Sequence, residues 1–224
     1  MDGSNIFKDK IRMISVLSII VAIIMAYLIG SIPTAVWVGR AFYGVDVRTQ
    51  GSKNAGATNT IRVLGLKAGI PVIIVDVFKG WFAVYISVFF SNTGLSENQF
   101  LFLEISMAAA SVLGHIFPIY VGFKGGKGVA TLFGIALALY PYAVLTVLGV
   151  FLLVFFITRM VSLSSVLASI SFPFFVIFLF HIPYLPLILL AIAVGLFVPV
   201  MHHNNIKRLL RGEESKISFK RKSK

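Results

Sequence analysis

Seven apolar runs fill this chain, at residues 13–39, 69–90, 99–121, 129–141, 142–158, 161–181 and 184–201. A helix crosses a bilayer core with about 20 apolar residues, fewer where neighbouring helices shield it. Five runs reach that length comfortably. The stretch from Val129 to Ile157 reads either as one tilted helix or as two short ones broken at Pro141. Of the 224 residues, 58% are hydrophobic and only 12% charged, against about 25% charged in soluble domains. The expectation is an all-α polytopic membrane protein with no room for a second globular unit. Cysteine is absent, which excludes disulfides and thiolate chemistry.

The net charge of +12 is unevenly placed. Lys207, Arg208, Arg211, Lys216, Lys220, Arg221, Lys222 and Lys224 follow the last apolar run. A basic segment there is a cytoplasmic anchor facing anionic headgroups, not a nucleic-acid surface. The first run lacks a small-residue cleavage site, which argues against a removed signal peptide.

The same charges decide between one helix and two at Val129–Ile157. With two, Arg40, Arg48, Lys53, Arg62, Lys67, Lys124, Lys127, Arg159 and the tail share one face, opposite Glu97 and His181. The positive-inside rule then favours seven transmembrane helices, amino terminus outside and carboxyl terminus cytoplasmic. Proline's missing N–H makes Tyr140-Pro141-Tyr142 an interfacial turn. Lys8, Lys10 and Arg12 oppose this orientation, partly offset by Asp2 and Asp9. The expected layout is a flank at 1–12, a seven-span catalytic domain at 13–206 and a basic cytoplasmic tail at 207–224.

Three polar blocks interrupt the hydrocarbon, each at the end of an apolar run. The first runs from Gly30-Ser31-Ile32-Pro33 through Asp46-Val47-Arg48 to Gly51-Ser52-Lys53-Asn54-Ala55-Gly56-Ala57-Thr58-Asn59 and Arg62. Its glycines permit tight turns that converge backbone amides on an anion. Thr58 and Asn59 extend the donor set near a helix start, and Arg48 and Arg62 supply charge.

The second block, Gly114-His115 and then Phe123-Lys124-Gly125-Gly126-Lys127-Gly128-Val129-Ala130-Thr131, lacks P-loop spacing but suits a phosphate group. In the third, His202, Asn205 and Arg208 fall three apart on one helical face. Glu213 and Glu214 lie close by as ion-pair partners. No carboxylates stand at ligand spacing, so no metal is expected. Asp76 and Lys79, three apart inside the second run, read as an intramembrane ion pair.

In this order and at these membrane edges, the blocks resemble the PlsY family of acyl-phosphate:glycerol-3-phosphate acyltransferases, from Gly30 to Lys216. The resemblance implies a seven-span enzyme of the bacterial inner (plasma) membrane with its active site facing the cytoplasm. It would move a fatty acyl group from acyl phosphate to the sn-1 hydroxyl of glycerol 3-phosphate. The products would be lysophosphatidic acid, for phospholipid synthesis, and phosphate. Ser31, Arg48, Lys124, Lys127, His202 and Asn205 are the expected catalytic residues. Gly51, Ser52, Asn54, Gly56, Ala57, Thr58, Asn59, Gly125, Gly126, Gly128, Arg208 and Glu214 are the expected substrate-binding ones. Lys53 departs from the glycine common at its position, which bears on the turn of that loop. Membrane lipid and the enzyme that produces acyl phosphate are the implied partners, and no cofactor is called for.

Acyl phosphate is an activated anhydride, so alignment and charge stabilisation dominate the chemical demand. Either the departing phosphate or His202 would take the hydroxyl proton. A carrier for an organic phosphate is the alternative reading, although the polar blocks sit at one face and not near the midplane. A CDP-alcohol phosphotransferase needs clustered aspartates, and Asp2, Asp9, Asp46 and Asp76 are scattered.

Overall fold

The computed structural model describes residues 3–217, with side chains from Val16 onward apart from Asn92 and Thr93. Residues 1, 2 and 218–224, including Lys220, Arg221, Lys222 and Lys224 of the expected tail, lie outside the described residues. The described residues form helices and connections only: α1 (Gly3–Gly30), α2 (Thr34–Tyr43), α3 (Ala57–Leu64), α4 (Leu66–Tyr85), α5 (Glu97–Ile116), α6 (Val129–Leu139), α7 (Ala143–Thr158), α8 (Val161–Phe174), α9 (Leu185–Met201) and α10 (His203–Leu210).

Four stretches are long and apolar enough to cross a membrane: Val16–Tyr43, Leu66–Ser91, Glu97–Val121 and Val161–Leu179. A fifth arises if α9 and α10, bent by 62°, count together. Val129–Ile157 is two helices, α6 and α7, separated at Tyr140-Pro141-Tyr142. The run expected at 13–39 differs: the helix is already formed at Gly3 and is interrupted at Ser31-Ile32-Pro33. Pro33 has no N–H to donate and steers Ile32 away from helical geometry.

That interruption has a partner in the membrane. The amides of Val36 and Trp37 both donate to the Pro33 carbonyl, leaving Ile32 without its helical donor. Lys79 of α4 supplies one, its Nζ standing 2.8 Å from the Ile32 oxygen. Asp76 balances the charge at 2.9 Å and accepts a hydrogen bond from Thr34 at 3.1 Å. His115 of α5 lies 3.8 Å from the same carboxylate, and its Nδ1 is 3.1 Å from the Thr131 hydroxyl of α6. Four helices thus meet on one buried polar cluster, and each backbone or charged group finds a partner as hydrocarbon requires.

Lipid gives helices no hydrophobic reason to associate, so close backbone approach does the work. Gly30 and Gly114 let α1 and α5 touch, because a Cβ at either would collide with backbone of the opposite helix. Gly80 and Gly134 do the same for α4 and α6. The other half is built on larger side chains, with Tyr140, Phe172, Val176 and Leu187 forming a core between α7, α8 and α9.

Candidate active site

The first polar loop is organised by the buried side chain of Asn59. Its carboxamide oxygen accepts from the Ser52 amide at 2.8 Å. Its nitrogen donates to the carbonyls of Val47, Gln50 and Asn54 at 2.7–3.1 Å. A Cβ on Gly51 would strike that same oxygen, so the turn requires glycine there. Lys53 keeps a left-handed φ of 59°, a conformation that costs a non-glycine residue about 1–2 kcal/mol. The loop therefore holds its turn despite the departure from glycine. It delivers Gly56 as the cap of α3. The first-turn amides of Ala57, Thr58 and Asn59 have no carbonyl ahead of them and are available to an anion.

Arg48 points elsewhere. Its Nε and Nη2 donate to Asp46 at 3.0 and 2.8 Å, and its Nη1 reaches the Val121 and Lys124 carbonyls at 2.8 and 3.3 Å. Hydrogen bonds from Arg48 hold the Asp46 carboxyl far below the usual carboxylate range. Arg48 is thus a clamp between the first two loops. In the second loop the Gly125 and Gly126 amides donate to the Ile116 and His115 carbonyls at the end of α5. A Cβ on Gly125 would hit those carbonyls, and one on Gly126 the His115 ring. Those two glycines let the loop lie flat on α5, and their amides face protein rather than open space.

Lys127 and Gly128 emerge from that loop beside the third block. The Lys127 ammonium donates to the Asn205 side chain. Burial pushes Lys127 down to about 8, against the pull of Glu214. Asn205 donates in turn to Glu214 at 2.7 Å, which also receives Arg208 Nε at 2.7 Å and Ser162 at 2.8 Å. Burial raises Glu214, but these three donors outweigh it and leave its pKa lowered. Glu213 is exposed, so Glu214 is the carboxylate of the site. It is carried there by a strap after α10, anchored by the Ile217 amide on the Arg159 carbonyl at 2.9 Å.

His202 sits at the bend between α9 and α10, 4% exposed. Its Nδ1 lies 2.8 Å from the Val198 carbonyl, which can only accept, so Nδ1 carries the proton and Nε2 is left as an acceptor. Burial and the Lys127 charge push this histidine down to about 4, so the ring is neutral.

These groups border one cavity of about 780 Å³. Its mouth carries Ser52, Asn54, Arg62, Lys127, His202 and Arg208. Gly56, Ala57, Thr58, Asn59, Gly128, Asn205 and Glu214 complete that end. From there it continues as an apolar arm between α6, α7, α8 and α9. Ser31, Arg48, Gly51, Lys124, Gly125 and Gly126 do not line it. Ser31 is fully buried against α5, its hydroxyl without a hydrogen-bond partner. Lys124 is exposed. Arg62, expected to supply charge in the first block, lines the cavity, and so do Asn204 and Ser162, which sequence reasoning left out of the site. Nothing in the sequence distinguished Ser162 from the other serines of α8.

Fold and cavity together define a helical integral membrane protein that can hold an amphiphile by both ends, charge at the mouth and chain in the arm. The glycerol-3-phosphate acyltransferase family model matches residues 20–212. A glycerol-3-phosphate acyltransferase of Fusobacterium nucleatum is 44% identical over 88% of this chain and 97% of its own length. Glycerol-3-phosphate acyltransferase 2 of Bacillus anthracis is 42% identical over 88% and 98%. Crystal structures of PlsY, an integral membrane glycerol 3-phosphate acyltransferase, superpose with TM-scores of 0.78 and 0.76 in the glycerol 3-phosphate and lysophosphatidic acid forms. They share 39% and 38% identity and cover 90% of this chain and 96% of that one. The chain belongs to the glycerol-3-phosphate acyltransferase family. Acyl transfer to glycerol 3-phosphate, a step of lipid biosynthesis, is its activity, which decides against the phosphate carrier.

Proposed function

We propose that the acyl donor is acyl phosphate and the acceptor the sn-1 hydroxyl of glycerol 3-phosphate, giving lysophosphatidic acid and phosphate. The observation that carries this reading is the cavity's division into a cationic, amide-rich mouth and an apolar arm. Two phosphate-bearing substrates need several donors at one end. Arg62, Lys127, Arg208 and the α3 amides supply them. Glu214, the one acidic side chain among the described lining residues, is neutralised by Arg208.

Within that frame the hydroxyl oxygen attacks the acyl carbon, the bond from that carbon to the phosphate oxygen breaks, and the hydroxyl proton leaves with the phosphate. His202 Nε2 accepts the hydroxyl hydrogen bond and aims its oxygen. It is a poor final base, since an imidazole held at about 4 is less basic than the phosphate that departs. Ser31, Arg48, Lys124, Gly125 and Gly126 act by shaping the loops. The test is phosphate release from acyl phosphate by the purified protein. Release that requires glycerol 3-phosphate and matches lysophosphatidic acid by mass spectrometry supports the reading; product formed only from another acyl donor ends it.

The proposed arrangement is seven spans in a bacterial inner membrane, amino terminus outside, with the mouth facing the cytoplasm. Arg40, Arg48, Arg62, Lys67, Lys127 and Arg159 near one end of the helices support it. Because the chain has no cysteine, single cysteines at Lys67 and Glu97 report sidedness through an impermeant maleimide. Labelling of Lys67→Cys in intact cells would overturn this orientation.

A further inference from the structure

The arm of the cavity has a floor. Along α8 its wall is Ser162, Ser165, Ala168, Ser169 and Phe172, one helical face on which small residues give way to a ring. Along α9 the wall runs from His202 through Val198 and Val194 to Leu190. Along α6 it ends at Tyr140. Beyond these ends lie Val176, Leu187 and Ala191, which are packed core and not lining.

The two rings at the floor are fixed. Tyr140 is 2% exposed and Phe172 3%. They meet edge to face with centroids 5.0 Å apart, a favoured aromatic geometry. The Tyr140 hydroxyl donates to the Leu187 carbonyl at 2.6 Å, tying the α6–α7 turn to the start of α9.

The depth follows from helix geometry. Ser162, which touches Glu214 at the mouth, and Phe172 are ten residues apart on α8, or about 15 Å at the α-helical rise. That is half of a bilayer core about 30 Å thick, the depth one leaflet's acyl chain fills. We infer that Tyr140 and Phe172 form the stop that sets the length of acyl chain this enzyme transfers, with Ala168 and Ser165 giving the chain its width. A chain longer than the arm must bend out past α7 between Phe151, Leu152 and Phe156 into lipid, exchanging the close packing of the arm for loose hydrocarbon and bending at its exit. This inference rests on the acyl-donor reading above only in the identity of the donor head.

The test is a competition assay in which the purified protein and two variants each receive an equimolar series of acyl phosphates, from eight to eighteen carbons, with saturating glycerol 3-phosphate. The readout is the ratio of long- to short-chain lysophosphatidic acid within each sample. Ala168→Phe fills the arm midway and should lower that ratio at least tenfold. Phe172→Ala opens the floor and should raise it severalfold. Damage to folding scales all chain lengths together and leaves the ratio alone. Ala168→Leu, a smaller intrusion, covers the case in which the phenylalanine variant does not fold, and should shift the ratio in the same direction. Ratios unchanged in every folded variant overturn the inference and place the chain in lipid. If the wild-type protein uses a different acyl donor, the donor reading fails, while the same ratio measured with that donor's chain-length series still decides the role of the arm.

Discussion

Asp76 and Lys79 hold their charges 2.9 Å apart, one turn along α4, with side chains only 2% and 3% exposed. Removing one member of a buried pair costs about 3–5 kcal/mol, because the other is left charged and unpaired. Asp76→Asn and Lys79→Met should each lower thermal stability in detergent by that order. The double variant should lose less than the sum, since no lone charge remains. Additive losses in a thermal-shift cycle would show that the two residues act separately.

Lys127 sets an alkaline limit. Its proton leaves at about 8 instead of 10.5 because burial disfavours the charged form. Below about 8 the ammonium faces the phosphates of the substrates, and above it that attraction is lost. The pH profile of kcat/KM, which reports the free enzyme, should therefore fall above about pH 8. Lys127→Arg stays charged, so its profile should stay level through that range even if its rate is lower. Stability moves the opposite way. Between about 8 and 10.5 the unfolded chain binds the proton the folded one has released, so stability rises with pH across that window.

His202→Gln separates aiming from proton transfer. Glutamine retains an acceptor near Nε2 but cannot act as an imidazole base. Turnover should drop by no more than about a hundredfold, the low end for general base catalysis, with the acid limb of the profile unmoved. An acid limb near pH 4 in the wild type that vanishes in the variant would make the histidine the base after all.

Glu214 and Glu213 are neighbours with different fates. Glu214→Gln places an amide where Asn205, Arg208 and Ser162 all donate. Loss of such charge-assisted bonds costs on the order of 2 kcal/mol. The strap after α10 should become open to limited proteolysis and activity should fall sharply. Glu213→Gln should change neither. The Glu214 contribution is present above the ordinary carboxylate pKa of about 4.3 and disappears as pH drops through its lowered native value.

Gly126→Ala should abolish activity although Gly126 does not itself line the cavity, because the new methyl meets the His115 ring and lifts the loop that carries Lys127. Gly44→Ala is the contrast. Its Cβ has open space and only the left-handed φ of 63° to strain against, so activity should survive. Equal loss in both would remove the case for loop packing.

The three polar blocks were legible because glycines, amides and cations are out of place at the ends of membrane helices. What they do individually was less so. An amide that donates to phosphate and one that donates to a helix carbonyl come from the same residue type, so Gly125 and Gly126 read as ligands until their partners on α5 were seen. Arg48 was likewise read as free charge, since Asp46 two residues away does not reveal that the pair also reaches Val121 and Lys124. The break at Pro141 followed from backbone chemistry, whereas the one at Ser31–Pro33 was hidden within a continuous apolar run. Glu214 was named by resemblance, and what separates it physically from the exposed Glu213 is its burial against Ser162, Asn205 and Arg208.

The strap also fixes when in its own synthesis the protein acquires a closed site. Ser52 and Ile217 line the same cavity, and Glu214 reaches Ser162 and Asn205 only after α10 has left the ribosome. In the order of synthesis the helices that wall the cavity therefore come before the strap that completes its mouth.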